Sequence, residues 1–197
     1  MANEFQPGEH IMGSDAPQPA ETNGYRLNHL MLRIKNPEKS LRFYKEGFGL
    51  RTVFVFNTGL WTIYYLGHPD LPEETGGDMF KTLGARKGLL ELYHVPHDEQ
   101  ESYATGNEKD ALGFGHMGFT VPDVAVAIER LKKVYPELEV LKGLGDDSFA
   151  SMGIPPTRRG GEDNDVQAGY KAVFRQLAFV KDPDGYWVEL VPEVVKP

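Results

Sequence analysis

Residues 29–44, HLMLRIKNPEKSLRFY, and residues 116–131, HMGFTVPDVAVAIERL, are two copies of one pattern, set 87 residues apart and aligned without a gap. Each copy is an apolar strand headed by a histidine, then a capping residue, then a helical stripe, so the chain reads as one unit written twice. In the first copy Leu30, Leu32 and Ile34 alternate with His29, Met31 and Arg33, which puts His29 and Arg33 on one face of a strand. Asn36 followed by Pro37 is an N-cap with proline at the first helical position, and Leu41 and Tyr44 carry the helix toward Gly47. In the second copy His116, Gly118 and Thr120 share a face opposite Met117, Phe119 and Val121. Asp123 then caps a helix from Val124 to about Lys133, with Ile128 and Leu131 inward.

Outward from these stretches, RTVFVFN (51–57) and WTIYYLG (61–67) read as two aromatic and β-branched strands turning at Thr58 and Gly59. GHPDLPEETGGD is a surface loop by its Pro and Gly content, MFKTLG adds a helical turn, and GLLELYHV is the strand that closes the first copy. After the second helix, LEVLKG, AVFRQLAFV and YWVELVP supply three strands, the last two joined by the DPDG turn at 182–185. The expected organisation is a flexible tail at 1–24, a βαβββ module at 25–97, a linker at 98–112, and a second βαβββ module at 113–197 containing a long loop at 143–172. The fold class is α+β, with two modules of curved mixed sheets enclosing a site where the copies meet.

With 197 residues, 40% of them hydrophobic, the chain has enough apolar material for a sizeable core. A net charge of -8 gives no basic field for nucleic acid or anionic lipid, so a small-molecule partner is expected. No stretch has the length of a transmembrane helix, and MANEFQPGEH lacks the basic and apolar regions of a signal peptide, which points to a cytoplasmic protein. There is no cysteine, so any metal must be held by nitrogen and oxygen ligands.

Glu91 in GLLELYHV and Glu189 in GYWVELVP sit inside otherwise apolar strands, at corresponding places in the two copies. A buried, unpaired carboxylate costs roughly several kcal/mol and needs a cation or a proton. Two histidines and two carboxylates form a donor set for zinc, nickel, manganese or iron(II), with positions left open for substrate. Taken singly, a strand histidine is more often a hydrogen-bonded core residue and a strand glutamate more often faces solvent; placement at matching strands of a repeat favours the metal site. His68, His94 and His97 are weaker candidates, since Pro96 denies the last two a helical spacing, and His10 lies in the tail. The aromatic set Phe54, Phe56, Trp61, Tyr64 and Tyr65 reads as sheet core.

The segments HLMLRIKNPEKSLRFY, LELYH, GFGHMGFTVPDV and FVKDPDGYWVEL, in that order, resemble the glyoxalase I family of the vicinal-oxygen-chelate superfamily, from Leu27 to Pro192. The resemblance implies paired βαβββ modules and assigns His29, Glu91, His116 and Glu189 as metal ligands. It also implies a homodimer whose sites are shared, one subunit giving the first pair and the other the second. The reaction implied is conversion of the hemithioacetal of methylglyoxal and glutathione to S-lactoylglutathione by proton transfer, with Glu189 as base and Glu91 as ligand or second acid/base. Arg33 matches a family arginine that pairs with a glutathione carboxylate. His29 matches the nickel-using bacterial type, whereas the insert PDLPEETGGDMFKTLGARKG resembles the longer zinc-using eukaryotic form, so zinc and nickel both fit.

Two departures concern glutathione: Val95 and Leu112 stand where the family carries an asparagine and an arginine. The family's lysine-bearing loop is replaced by a longer one, in which Arg158, Arg159, Lys171 and Arg175 are either substitutes or plain surface charge. The alternative readings are a related metal-dependent isomerase or lyase for a specialised metabolite, and a non-catalytic binding module on the same fold.

Overall fold

The computed structural model describes residues 6, 8–96, 102–108, 111–148 and 166–196. Along the chain these form β1 (His29–Ile34), α1 (Pro37–Arg42), β2 (Arg51–Asn57), β3 (Thr62–Gly67), α2 (Gly76–Lys81), β4 (Leu89–His94), β5 (Asn107–Glu108), β6 (Ala111–Leu112), β7 (Met117–Val121), α3 (Val124–Val134), β8 (Val140–Lys142), α4 (Ala168–Phe174), β9 (Ala178–Lys181) and β10 (Trp187–Pro192).

The helices that follow the histidine strands start where their caps dictate. Asn36 Oδ1 accepts from the Lys39 N–H at 3.0 Å, and Asp123 Oδ1 from the Val126 N–H at 2.9 Å, each satisfying a donor that the first helical turn leaves open. A single π turn, Phe43–Gly47, continues α1 and buries Phe43 and Tyr44.

Two four-stranded sheets result, ordered β1-β4-β3-β2 and β7-β10-β9-β8. In both, the first and last strands of the βαβββ module pair in parallel at the sheet edge, and the other pairings are antiparallel. The duplication read in the sequence is therefore a duplication of topology.

The modules share one core. Leu32, Ile34, Phe43, Tyr44 and Leu92 of the first pack in the same cluster as Met117, Ile128, Leu131, Val188 and Leu190 of the second. Because strand side chains alternate, the residues between them, including His29, Arg33, Glu91 and Glu189, point to the opposite faces. The copies thus meet through their apolar faces, and each histidine–glutamate pair lies on the opposite face of its sheet. Part of each outer face has its own small cluster. Met79 of α2 packs with Val53, Tyr65 and Leu89 over the first sheet, and Phe174 of α4 packs with Leu177 and Phe179 over the second.

Some expected elements differ. AVFRQLAFV is not one strand: Ala172, Val173 and Phe174 end α4, whose Tyr170 and Phe174 rings stack at 5.5 Å one turn apart, and β9 starts only at Ala178. The helical pattern wins because it lays Phe174 over the sheet. The surface loop after β3 ends sooner than its composition suggests, because Thr75 and Asp78 form a capping box that starts α2 at Gly76. The β2–β3 turn spans Thr58 to Trp61, closed by the Thr58 N–H donating to Trp61 O at 2.9 Å, with Gly59 at φ 99°. The linker contains the short β5–β6 pair, and Thr105 packs beside Gly185 in the turn before β10. Among the described residues no helix is long and apolar enough to cross a membrane.

Candidate metal centre

His29 heads β1 and Glu91 lies at the middle of β4. Their parallel register aligns His29 with Leu89 and Met31 with Glu91, so the glutamate side chain comes back diagonally to the imidazole. Nε2 of His29 stands 3.3 Å from Oε2 of Glu91. The second module repeats this: Gly118 aligns with Glu189 on β10, and His116 Nε2 stands 3.2 Å from Glu189 Oε2. Side-chain exposures are 39% and 16% in the first pair and 43% and 17% in the second, so the two pairs are equivalently placed. An aromatic edge flanks each imidazole, Tyr65 at 5.4 Å and Phe179 at 5.1 Å between ring centres. Tyr65 and Phe179 occupy matching positions, opposite Glu91 and Glu189 on the neighbouring strands.

The first pair carries a further constraint. Asn28 Nδ2 donates to the carbonyls of Leu83 at 2.9 Å and Arg86 at 3.3 Å, which leaves Oδ1 to face His29 Nδ1 at 2.9 Å and to accept from the Tyr65 hydroxyl at 3.1 Å. An amide oxygen is only an acceptor, so Nδ1 must carry the proton. In the neutral tautomer Nε2 then presents a lone pair to the Glu91 carboxylate. Two acceptors at that distance call for a cation or an extra proton between them, and a histidine oriented through its other nitrogen is the arrangement metal ligands adopt.

Within one chain the pairs remain apart: among the described residues no three His, Asp or Glu side chains come close enough to hold one ion. Each chain presents two separate histidine–glutamate pairs among the described residues. His29 also borders a cleft of about 330 Å3, lined by His68, Leu89, Gly118 and Phe119 among others. The edge of the second module's sheet therefore approaches His29.

Arg33 lies on the His29 face, aligned with Tyr93, whose ring stacks on Trp61 at 5.9 Å. Trp61 and Tyr65 thus lie on the face that carries His29 and Glu91. Leu112 is exposed and Val95 half-buried, and neither provides a hydrogen-bonding side chain. Arg175 pairs with Asp147 at 2.6 Å, and Lys171 lies on α4. Arg158, Arg159 and His97 lie outside the described residues. His94 ends β4, and His10 is exposed.

Sequence reading missed three groups. Asn28 immediately precedes His29, but only its bond to Leu83, distant in sequence, reveals its role. Lys142, on the Phe179 side of β8, is 1% exposed and donates to Leu177 O at 2.6 Å and Gly143 O at 3.0 Å. Its Nζ lies 4.7 Å from the centre of the Phe174 ring, and burial holds its ammonium below the ordinary lysine range. Tyr170 is the third: burial, and then the charge of Glu189, raise its phenol. A lone lysine ending an apolar strand was the only signal for Lys142.

This chain belongs to the Glyoxalase/Bleomycin resistance protein/Dioxygenase superfamily, whose pattern matches residues 26–190. It is 33% identical over 182 residues to a lactoylglutathione lyase of Pseudomonas aeruginosa, covering 87% of this chain and 85% of that one. It is 31% identical to that of Pseudomonas putida, covering 92% of each. Against the Schizosaccharomyces pombe lactoylglutathione lyase the identity is 29%, and the chain spans about half of that longer protein (51%). Among solved structures, the trypanothione-dependent glyoxalase I of Leishmania major aligns with a TM-score of 0.53 at 22% identity, over 86% of this chain and 87% of that one, which supports the shared fold. These relationships place the chain among the glyoxalase I-like lyases of the superfamily.

Proposed function

We propose that the protein is a metal-dependent glyoxalase I that converts the hemithioacetal of methylglyoxal and glutathione to S-lactoylglutathione. The observation that carries this reading is the Asn28-fixed His29, whose Nε2 lone pair faces the Glu91 carboxylate, together with its repeat at His116 and Glu189. The similarity to lactoylglutathione lyases supplies the substrate class. We assign His29, Glu91, His116 and Glu189 as the residues that would hold one divalent ion, zinc or nickel before manganese or iron(II). The ion, when bound, supplies Lewis-acid polarisation of the substrate oxygens.

The chain's own residues then move the proton. Glu189 takes it from the carbon bearing sulfur and returns it to the neighbouring carbon, while Arg33 holds a glutathione carboxylate through its guanidinium. We assign the complete centre to the junction between the first module of one protomer and the second of its partner in a homodimer, a reading in keeping with the separation of the two pairs among the described residues of one chain.

The test is to strip the purified protein of metal, add back zinc or nickel, and assay S-lactoylglutathione from methylglyoxal and glutathione. Turnover restored with one ion per site is expected; metal binding without product would sink the reading. Val95 and Leu112 favour a second reading, a related lyase or isomerase for a different substrate. That reading gains if glutathione shows no saturable binding.

A further inference from the structure

The turn that launches the Glu189 strand is bolted to the strand that carries His29 and Arg33. Asp182 and Asp184, the two carboxylates of the DPDG turn, reach across the junction between modules. Asp182 Oδ2 accepts from the Tyr44 hydroxyl at 2.7 Å, and its Oδ1 accepts from the N–H groups of Asp184 at 2.9 Å and Tyr186 at 2.8 Å. Asp184 accepts from Ser40 Oγ at 2.7 Å and from the Lys35 N–H, also at 2.7 Å. Tyr186 closes the arrangement, its hydroxyl accepting from the Arg33 N–H at 3.3 Å. Ser40 and Tyr44 are fully buried, and Asp182 is 4% exposed.

We propose that Tyr44–Asp182 and Ser40–Asp184 form a positioning latch, which fixes the relative orientation of the two histidine–glutamate pairs by holding the start of β10 against the end of β1. The inference rests on the reading of those pairs as halves of one metal centre. Apolar contacts between the modules are non-directional and tolerate sliding, whereas four hydrogen bonds across the junction, three of them at 2.7 Å, specify one orientation. Four residues separate Asp184 from Glu189, and only Ile34 and Lys35 separate Arg33 from Asn36, the cap of α1. A tilt at the junction is thus transmitted to both half-sites. In a dimer with shared sites it would misalign both centres together.

None of these groups reaches the half-sites directly, so they act through the strands. Protonated Asp182 can still hold the turn: its acid hydrogen would donate to Tyr44 Oη, and the Tyr44 hydroxyl would turn to Met117 Sδ, 3.8 Å away. Asn at 182 reproduces that arrangement with its amide.

The chain has no cysteine, so nitroxide labels at Lys87→Cys and Lys133→Cys, exposed residues in different modules, report the intrachain distance by pulsed electron resonance in dimers diluted with unlabelled protein. We expect one narrow distance in otherwise wild-type protein and in Asp182→Asn, and a broadened one in Tyr44→Phe and Ser40→Ala. Zinc affinity, by chelator competition, should fall about tenfold in the latter two and stay near wild type in Asp182→Asn, as for loss of supporting contacts around a metal site. A lowered melting temperature with distance and zinc affinity unchanged would overturn the latch, leaving these residues as packing only. Should Tyr44→Phe fail to fold, Ser40→Ala decides alone. If the unaltered protein binds no zinc, the metal-centre reading fails while the distance still decides the latch.

Discussion

Oδ1 of Asn28 stands 2.9 Å from Nδ1 of His29, and this contact determines which imidazole nitrogen is free to bind. Replacing Asn28 by Ala removes the acceptor and lets the ring rotate or change tautomer. Zinc affinity measured by chelator competition should fall by about 10–100-fold, the usual effect of losing a partner behind a metal-ligating histidine. Asn28→Asp keeps an acceptor for Nδ1 but loses the donors to the Leu83 and Arg86 carbonyls, and should fall between Asn28→Ala and wild type. Equal affinities would mean that the contact does not orient the ring.

The two glutamates should separate in function. At saturating metal, Glu189→Gln is expected to lose about 10^2–10^4-fold in kcat, the range for removing a general base. Glu91→Gln should bind metal more weakly but keep measurable turnover once the metal is saturating. Steady-state kinetics across a metal titration separates the two, and equal losses would make both glutamates acid/base groups.

Arg33 lies on the His29 face with no ion-pair partner among the described residues, and its guanidinium is suited to a bidentate carboxylate. Arg33→Ala should raise KM for the glutathione hemithioacetal about tenfold with little change in kcat, the pattern of lost uniform binding. Arg33→Lys should restore little, because an ammonium lacks the planar fork. An unchanged KM in Arg33→Ala would point to a different thiol.

Asp182 gives a pH signature. Burial pushes its carboxyl up to about 7, against an ordinary value near 3.8, with Tyr44 and the backbone N–H groups of Asp184 and Tyr186 pulling it down and Asp184 pushing it up. Lys35, Tyr135, Tyr186 and His94 complete the titratable surroundings of the two turn carboxylates. The folded chain therefore keeps this proton at pH values where the unfolded chain has released it. The stability that follows is fully present below about pH 4 and is lost as pH rises through about 7. Melting temperatures of wild type and Asp182→Asn from pH 4 to 8 should show wild type losing ground to the variant over that window. Parallel curves would place the proton elsewhere.

Much of this fold was legible because each signal was local. Strand alternation placed His29 with Arg33, and Glu189 with Trp187, on faces opposite the buried Leu32 and Val188. Asn36 and Asp123 announced the helices that they cap. Phe174 was misassigned because its pattern fits a strand as well as a helix, and only its packing beside Leu177 and Phe179 selects the helix. Asn28, Lys142 and the Tyr44–Asp182 contact were hidden for a different reason: each depends on a partner remote in sequence, between 35 and 138 residues away.

By itself the sequence determined the duplicated topology, the faces of the four candidate ligands and the family resemblance, since side-chain period and caps are properties of a few consecutive residues. Only the tertiary structure decided that the copies join through their apolar faces, leaving the two histidine–glutamate pairs on outward surfaces. It did so because burying Leu32, Phe43, Val188 and Leu190 in one core turns the alternate side chains outward, and no local pattern specifies which faces will meet.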